Sequence, residues 1–234
     1  MQVITSQNPA VTAADQLNEV LSAYAARPIL LMLSGGSALS ILEHVNVLLL
    51  GPHVTITTLD ERFSTDPTIN NFSQITATEF YKKVIEQGTQ SIPTIIRDGD
   101  TLREAGKRFD SALHHWKESH RDGVVVATMG VGSDGHTAGI FPHQPSLDPL
   151  TTDWVVSYEV PPEVNPHVLR ITTTPAFLKT QVTEAICLIT GEEKRNVFNQ
   201  LMSTQCSSND MPACIMKEMS LVKIITDINV QESL

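Results

Sequence analysis

The chain has 234 residues and a formal net charge of −10 at pH 7, and its 41% hydrophobic and 18% charged content is typical of a folded globular protein. The length suits a single domain over residues 1–234. The acidic charge argues against nonspecific binding to nucleic acid or to anionic membranes, because both need clustered Lys and Arg. No apolar run approaches the roughly 20 residues that span a bilayer, and the first residues lack the features of a secretory signal. We therefore expect a cytoplasmic protein.

Apolar runs alternate with helix-length segments, the pattern of an α/β protein whose parallel strands are joined by crossover helices. Strands are predicted over residues 29–33, 54–59, 124–129, 185–190 and 221–225, and helices over about 11–26, 38–50, 70–87, 101–119 and 192–202. Residues 154–160 and 167–173 predict a strand pair joined through Pro161-Pro162. The expected fold is a single-domain α/β fold, a mostly parallel doubly wound sheet with flanking helices and a small antiparallel extension.

The turn after the first predicted strand reads Ser34-Gly35-Gly36-Ser37. Its glycines let backbone N–H groups approach a phosphate closely, with serine hydroxyls beside them and a helix N-terminus behind. The alternative is a tight strand-to-helix turn with a serine N-cap. The segment is neither a Walker motif nor a Gly-x-Gly-x-x-Gly fingerprint, so no nucleotide cofactor is predicted.

Charged residues stand at three further places where an α/β sheet could bind a ligand. Asp60 and Arg62 follow the strand at 54–59, Arg170 lies inside an apolar strand, and Lys194 begins the helix after Gly191. Each cation could clamp an anion. The alternatives are a solvated loop for the first and a solvent-facing lysine for the last, whereas Arg170 needs a partner if it is buried.

The segment Gly130–Gly139 is the most unusual part of the chain, because its glycines enclose an acid and an imidazole, Asp134 and His136. An imidazole can act as a general base near neutral pH, so His136 could serve as one, and a nearby carboxylate could fix its tautomer. The alternative is an exposed histidine in a glycine-rich loop. The neighbouring histidines show no zinc-ligand spacing with His136, so no metal site is predicted.

The cysteines give no sign of a cross-linked protein. Cys187, Cys206 and Cys214 form no Cys-x-x-Cys pair, and their odd number argues against a disulfide framework. We predict three reduced thiols.

Taken together and in this order, these segments resemble the family of 6-phosphogluconolactonases, which is related to the glucosamine-6-phosphate deaminases. The resemblance runs from about residue 29 to residue 194, and its most specific part is MGVGSDGHTAGIFP at positions 129–142. The deaminases share Asp-Gly-His but place an acid shortly after it, and this chain has none there. The resemblance therefore favours lactone hydrolysis.

The resemblance also implies residue roles. His136 would be the catalytic base, with Asp134 or Asp60 as the carboxylate that orients it, and no cofactor would be needed. The substrate, a small phosphosugar lactone, would be held through its phosphate by the serine-glycine turn together with Arg62, Arg170 and Lys194. Two alternatives stay open: an isomerase or deaminase that uses Asp60 as base, and a sugar-phosphate sensor without catalysis. The sequence makes no prediction of oligomeric state.

Overall fold

The computed structural model describes residues 1–143 and 152–229. Its strands are β1 (Gln2–Thr5), β2 (Ile29–Leu33), β3 (Val54–Thr58), β4 (Asp60–Arg62), β5 (Gln90–Ser91), β6 (Val124–Gly130), β7 (Val155–Glu159), β8 (Leu169–Thr173), β9 (Val182–Ile189) and β10 (Leu221–Thr226). Its α-helices are α1 (Pro9–Ala23), α2 (Asn71–Thr76), α3 (Glu79–Glu86), α4 (Leu102–Ser119), α5 (Pro175–Thr180) and α6 (Arg195–Met202). Shorter 3₁₀ helices cover Gly36–His44, Val47–Leu49, Glu192–Lys194 and Pro212–Lys217.

The strands form two sheets. The larger has seven parallel strands in the order β1-β10-β9-β6-β2-β3-β5, and the smaller has three antiparallel strands in the order β4-β8-β7. The predicted parallel sheet and its small antiparallel extension are both confirmed. No helix in the described part of the chain is long and apolar enough to cross a membrane.

The large sheet is covered by helices on both faces, as its apolar sequence requires. Successive side chains of a strand point to opposite faces. Leu30 and Met32 accordingly join one buried cluster with α4 and α6, while Leu31 and Leu33 join a second cluster with α1 and α3. This two-sided burial explains why β2 and most of β6 read as hydrophobic runs.

Two predicted helices differ from the structure. The helix expected at 38–50 is a 3₁₀ helix that ends at His44, where Val45 becomes extended and the Asn46 side chain caps a second short turn. The helix expected at 70–87 is two helices, because Thr78 is extended and its side chain caps α3. In both cases a local side-chain-to-backbone hydrogen bond competes with helix continuation.

The prediction of three reduced thiols is wrong. Cys206 and Cys214 form a disulfide, with Cα atoms 5.6 Å apart, whereas Cys187 is free and buried in β9. The number of cysteines does not show which of them lie close together in the fold. The chain reverses between residues 206 and 214, which brings the two Cα atoms to a distance that a disulfide can span.

Candidate active site

The carboxyl ends of β2, β3, β6 and β9 lie at one edge of the parallel sheet, where α/β proteins place their ligands. A cleft of about 240 Å³ opens there. The predicted site residues that line it are Ser34, Gly35, Gly36, Ser37, Asp60, Arg62, His136, Arg170 and Lys194. Segments that are far apart in sequence therefore meet in one place. Asp134 lies behind His136 and does not line the cleft.

Asp134 and His136 form a hydrogen-bonded pair. The Asp134 Oδ1 atom lies 2.5 Å from His136 Nδ1 and also accepts the backbone N–H of His136 at 3.1 Å. Partial burial disfavours the charged carboxylate, but the hydrogen bonds and the charge of His136 outweigh it and hold the pKa of Asp134 below its usual value. With Nδ1 donating to Asp134, the lone pair of Nε2 is left to accept a proton.

The glycines of this loop let the imidazole pack directly against the backbone. A Cβ atom at Gly132 would collide with the His136 ring and with the Asp134 carboxylate. Gly135 has φ +83° and would collide with Met211 if it carried a side chain. The close approach at Gly132 and the left-handed conformation at Gly135 explain the glycines at these two positions.

The small antiparallel sheet supports the loop from below. Tyr158 donates from its hydroxyl to the Gly139 carbonyl, and Thr172 donates to the Ala138 carbonyl. Burial raises the pKa of Tyr158, which keeps its hydroxyl protonated as a donor. The Phe141 ring stacks on His136 with centroids 4.5 Å apart and an interplanar angle of 24°. The imidazole is therefore fixed by Asp134 at its edge and by Phe141 at its face.

Arg62 and Arg170 stand directly opposite each other in the β4–β8 register. Like charges in that position destabilise a strand pair unless something compensates them. Asp60 compensates weakly, with its Oδ2 atom 3.9 Å from Arg170 Nη1, and Asn165 accepts a hydrogen bond of 2.8 Å from Arg170 Nη2. Burial lowers the pKa of Arg170, and the charge of Asp60 opposes that shift.

The donor capacity of the two arginines is not used up. Among the residues that the structure describes, the buried Nε atoms of Arg62 and Arg170 have no hydrogen-bond partner. Arg62 and Arg170 both line the cleft, where guanidinium groups form strong charge-assisted hydrogen bonds with anions, so the arrangement favours an anion there. Lys194 adds a third cation at the end of a 3₁₀ helix that begins after Gly191.

The serine-glycine turn also lines the cleft. The Ser34 N–H donates to Thr128 Oγ1 at 3.2 Å, which ties the turn to β6. Gly36 has φ +64° and opens the 3₁₀ helix that follows. In residues 1–143 and 152–229, no group of three or more His, Cys, Asp or Glu side chains is arranged to hold a metal ion.

Three residues that line the cleft were not predicted as site residues from the sequence: Asn71, Phe141 and Asn165. Phe141 lies inside the motif at positions 129–142, and Asn71 follows the polar loop after the charged residues 60–62. Their positions in the sequence could therefore have pointed to the site. Asn165 had no such signal, because it reaches Arg170 only through the loop that joins β7 and β8.

Replacement of Asp134 by Asn tests the hydrogen-bonded pair. The amide can donate to Nδ1, which favours the tautomer that carries its proton on Nε2 and removes the proposed base. We expect kcat to fall by about 100-fold and KM to change little. Steady-state kinetics checks this, and a variant with unchanged kcat would show that Asp134 does not set the tautomer.

The disulfide supports the same loop from outside. Met211 packs against Gly135, and the Ala213 N–H donates to the Gly135 carbonyl at 3.0 Å. Thiol titration of the unfolded, unreduced chain should find Cys187 alone, and reduction should lower the free energy of unfolding by about 2–3 kcal/mol. The double variant Cys206→Ser, Cys214→Ser should no longer respond to reductant. Detection of three thiols before reduction would contradict the cross-link.

Comparisons with known proteins find relatives of this chain. A profile described as "Glucosamine-6-phosphate isomerases/6-phosphogluconolactonase" matches residues 5–224. The 6-phosphogluconolactonase of Caulobacter vibrioides is 31% identical over 149 residues, which cover 62% of this chain and 61% of that protein. The one from Neisseria meningitidis serogroup B is 32% identical over 153 residues, which cover 63% and 62%. The chain thus matches less than two thirds of the length of these relatives.

Solved structures share the fold over nearly the whole chain. A 6-phosphogluconolactonase from Trypanosoma cruzi superposes with a TM-score of 0.75 at 19% identity, covering 96% of this chain and 94% of that one. One from Leishmania guyanensis superposes with a TM-score of 0.70 at 21% identity, covering 96% of each chain. The architecture inferred from the sequence is therefore an established one.

Proposed function

This chain belongs to the family of glucosamine-6-phosphate isomerases and 6-phosphogluconolactonases, and from that premise we propose that it hydrolyses 6-phospho-D-glucono-1,5-lactone to 6-phosphogluconate, a step of the pentose phosphate pathway. One observation carries the proposal: a single cleft joins His136, paired with Asp134, to the three cations Arg62, Arg170 and Lys194. A base and an anion site side by side are what a phosphorylated lactone requires.

The chemistry needs one water and one base. The Nε2 atom of neutral His136 takes a proton from a water molecule as its oxygen attacks C1, while Asp134 stabilises the imidazolium that forms. Charge develops on the carbonyl oxygen, and backbone N–H groups of the glycine loop are the donors that we assign to it. The bond from C1 to the ring oxygen then breaks, and the imidazolium returns its proton to that oxygen. The acid product ionises at neutral pH.

The phosphate of the substrate is a binding group that lies far from the reacting carbon. Arg62, Arg170 and Lys194 supply positive charge in a protein of net charge −10. Binding energy from this end orients C1 toward His136 and takes no part in bond making. Losses at these cations should therefore appear in KM, and losses at His136 in kcat.

The isomerase or deaminase alternative gives Asp60 the role of base. In this structure the Asp60 carboxylate faces Arg170 and packs close to Gly139, and His136 has its own carboxylate partner in Asp134. An acid shortly after the Asp-Gly-His segment is also missing. These features favour hydrolysis. The sensor alternative predicts binding without turnover.

A parallel assay separates the three functions. Freshly generated 6-phosphogluconolactone should lose its lactone with release of a proton, faster than its spontaneous opening in buffer. Glucosamine 6-phosphate should release no ammonia under the same conditions. Ammonia release would favour the deaminase, and tight phosphosugar binding without either reaction would favour the sensor. A cytoplasmic location and a small-molecule partner without nucleic acid belong to the same proposal.

A further inference from the structure

Glu61 is a fully buried carboxylate that the proposed chemistry does not use. Its Oε1 atom accepts the backbone N–H groups of Arg62 at 2.8 Å and Asn71 at 2.6 Å. Its Oε2 atom accepts the backbone N–H of Phe72 at 2.9 Å and the hydroxyl of Thr94 at 2.7 Å. One side chain therefore joins β4, the start of α2 and the segment after β5.

Two of these partners line the cleft. Arg62 and Asn71 both line it, and Asn71 is 1% exposed. The Asn71 Nδ2 group donates to the Asp60 carbonyl at 3.0 Å. A Cβ atom on Gly35 would collide with the Asn71 amide, so this side chain abuts the serine-glycine turn. Glu61 thus contacts Arg62 directly and reaches the serine-glycine turn through Asn71.

We propose that Glu61 is a positioning residue for phosphate binding, which holds Arg62 and Asn71 in place so that the arginine and the serine-glycine turn face the same anion. This inference rests on the proposed function for its substrate, and on the contacts above for its geometry. A preformed site binds more tightly because its side chains lose less freedom when the ligand arrives. Glu61 touches neither the cleft nor the reacting atoms, so its effect passes through affinity.

The hydrogen-bond pattern requires a side chain that offers two acceptor oxygens. Three N–H groups and one hydroxyl converge on the two oxygens, and a glutamine would turn its own NH₂ toward at least one of these donors. The charged groups near Glu61 are Asp60 and Arg62 on its own strand and Arg170 on β8. The partners on α2 and after β5 are uncharged.

Burial raises the pKa of Glu61 to about 7, although its four hydrogen bonds oppose the shift. A carboxyl with a raised pKa in the folded state binds more protons folded than unfolded between about 4.5 and 7. Its contribution to stability is therefore lost as the pH rises through that window. The free energy of unfolding of the wild type, measured relative to Glu61→Gln, should fall over this range.

The test compares Glu61→Gln with Glu184→Gln. Glu184 is also a buried glutamate, but it pairs with Lys223 at 3.2 Å on β9 and β10, outside the cleft. We expect Glu61→Gln to raise the Kd for inorganic phosphate, measured by calorimetry, and the KM for the lactone by about tenfold or more, with kcat within about threefold. Glu184→Gln should leave all three values unchanged.

Wild-type phosphate affinity in Glu61→Gln would overturn the inference, and so would a loss confined to kcat. If Glu61→Gln does not fold, Asn71→Ala decides, because it keeps the backbone N–H that Glu61 binds but removes the amide against Gly35. It should raise the phosphate Kd several-fold, and an unchanged Kd would count against the inference. Phosphate binding is measured without lactone, so failure of the proposed reaction would leave this result readable by itself.

Discussion

Replacement of His136 by Gln is expected to lower kcat by about 10²–10⁴-fold, the usual contribution of a general base. Glutamine keeps a polar side chain of similar reach but cannot accept the proton of the attacking water. The cations of the cleft are untouched, so KM and the Kd for inorganic phosphate should stay within about threefold of wild type. Initial rates with fresh lactone, corrected for spontaneous opening, measure the first quantity.

His115→Gln is the matched control, because His115 is exposed on α4 and lies outside the cleft. It should behave as wild type. If His136→Gln raised KM as strongly as it lowered kcat, the imidazole would be a binding group, and its assignment as base would be wrong.

Replacement of Arg62 by Ala should produce the opposite pattern, with KM raised by about 10–100-fold and kcat nearly unchanged. A charge-assisted bond to phosphate contributes about 1.5–3 kcal/mol, and each 1.4 kcal/mol corresponds to tenfold in affinity. No carboxylate in the described residues forms an ion pair with Arg62, so its removal leaves no buried charge without a partner. Steady-state kinetics and phosphate calorimetry measure the effect.

Arg103→Ala serves as the control for removing one positive charge, because Arg103 is exposed on α4 and away from the cleft. It tests whether the net charge of the protein alone steers the anion. Equal increases in KM for Arg62→Ala and Arg103→Ala would point to long-range steering. An increase confined to Arg62→Ala supports a direct contact with the phosphate.

The strands of the large sheet could be predicted well because burial on both faces leaves a strong signal in the sequence. Ile29–Leu33 is apolar at every position and is buried at every position. The helices were harder, since their ends depend on single capping bonds such as those of Asn46 and Thr78. Short edge elements such as Gln90–Ser91 carry no pattern at all.

Some parts of the candidate site could likewise be predicted from the sequence, and others could not. The Gly130–Gly139 loop and the serine-glycine turn could be located from sequence because glycine clusters reflect local backbone demands. Which carboxylate contacts His136 could not be predicted, because Asp60 and Asp134 are equally plausible until the fold places one beside the ring. The buried position of Glu61 could not be predicted either, because it depends on contacts between segments that are distant in sequence. In the sequence it is one charge among three, and only the fold removes it from water.

The most direct test of the account compares two lactones that differ only in the phosphate. Purified wild-type protein is assayed by proton release with 6-phosphogluconolactone and with unphosphorylated glucono-1,5-lactone, each corrected for spontaneous opening. If the cleft anchors phosphate beside the His136 base, kcat/KM should favour the phosphorylated lactone by at least about 100-fold. Equal values for the two lactones, or no hydrolysis of either above the rate in buffer, would contradict the account.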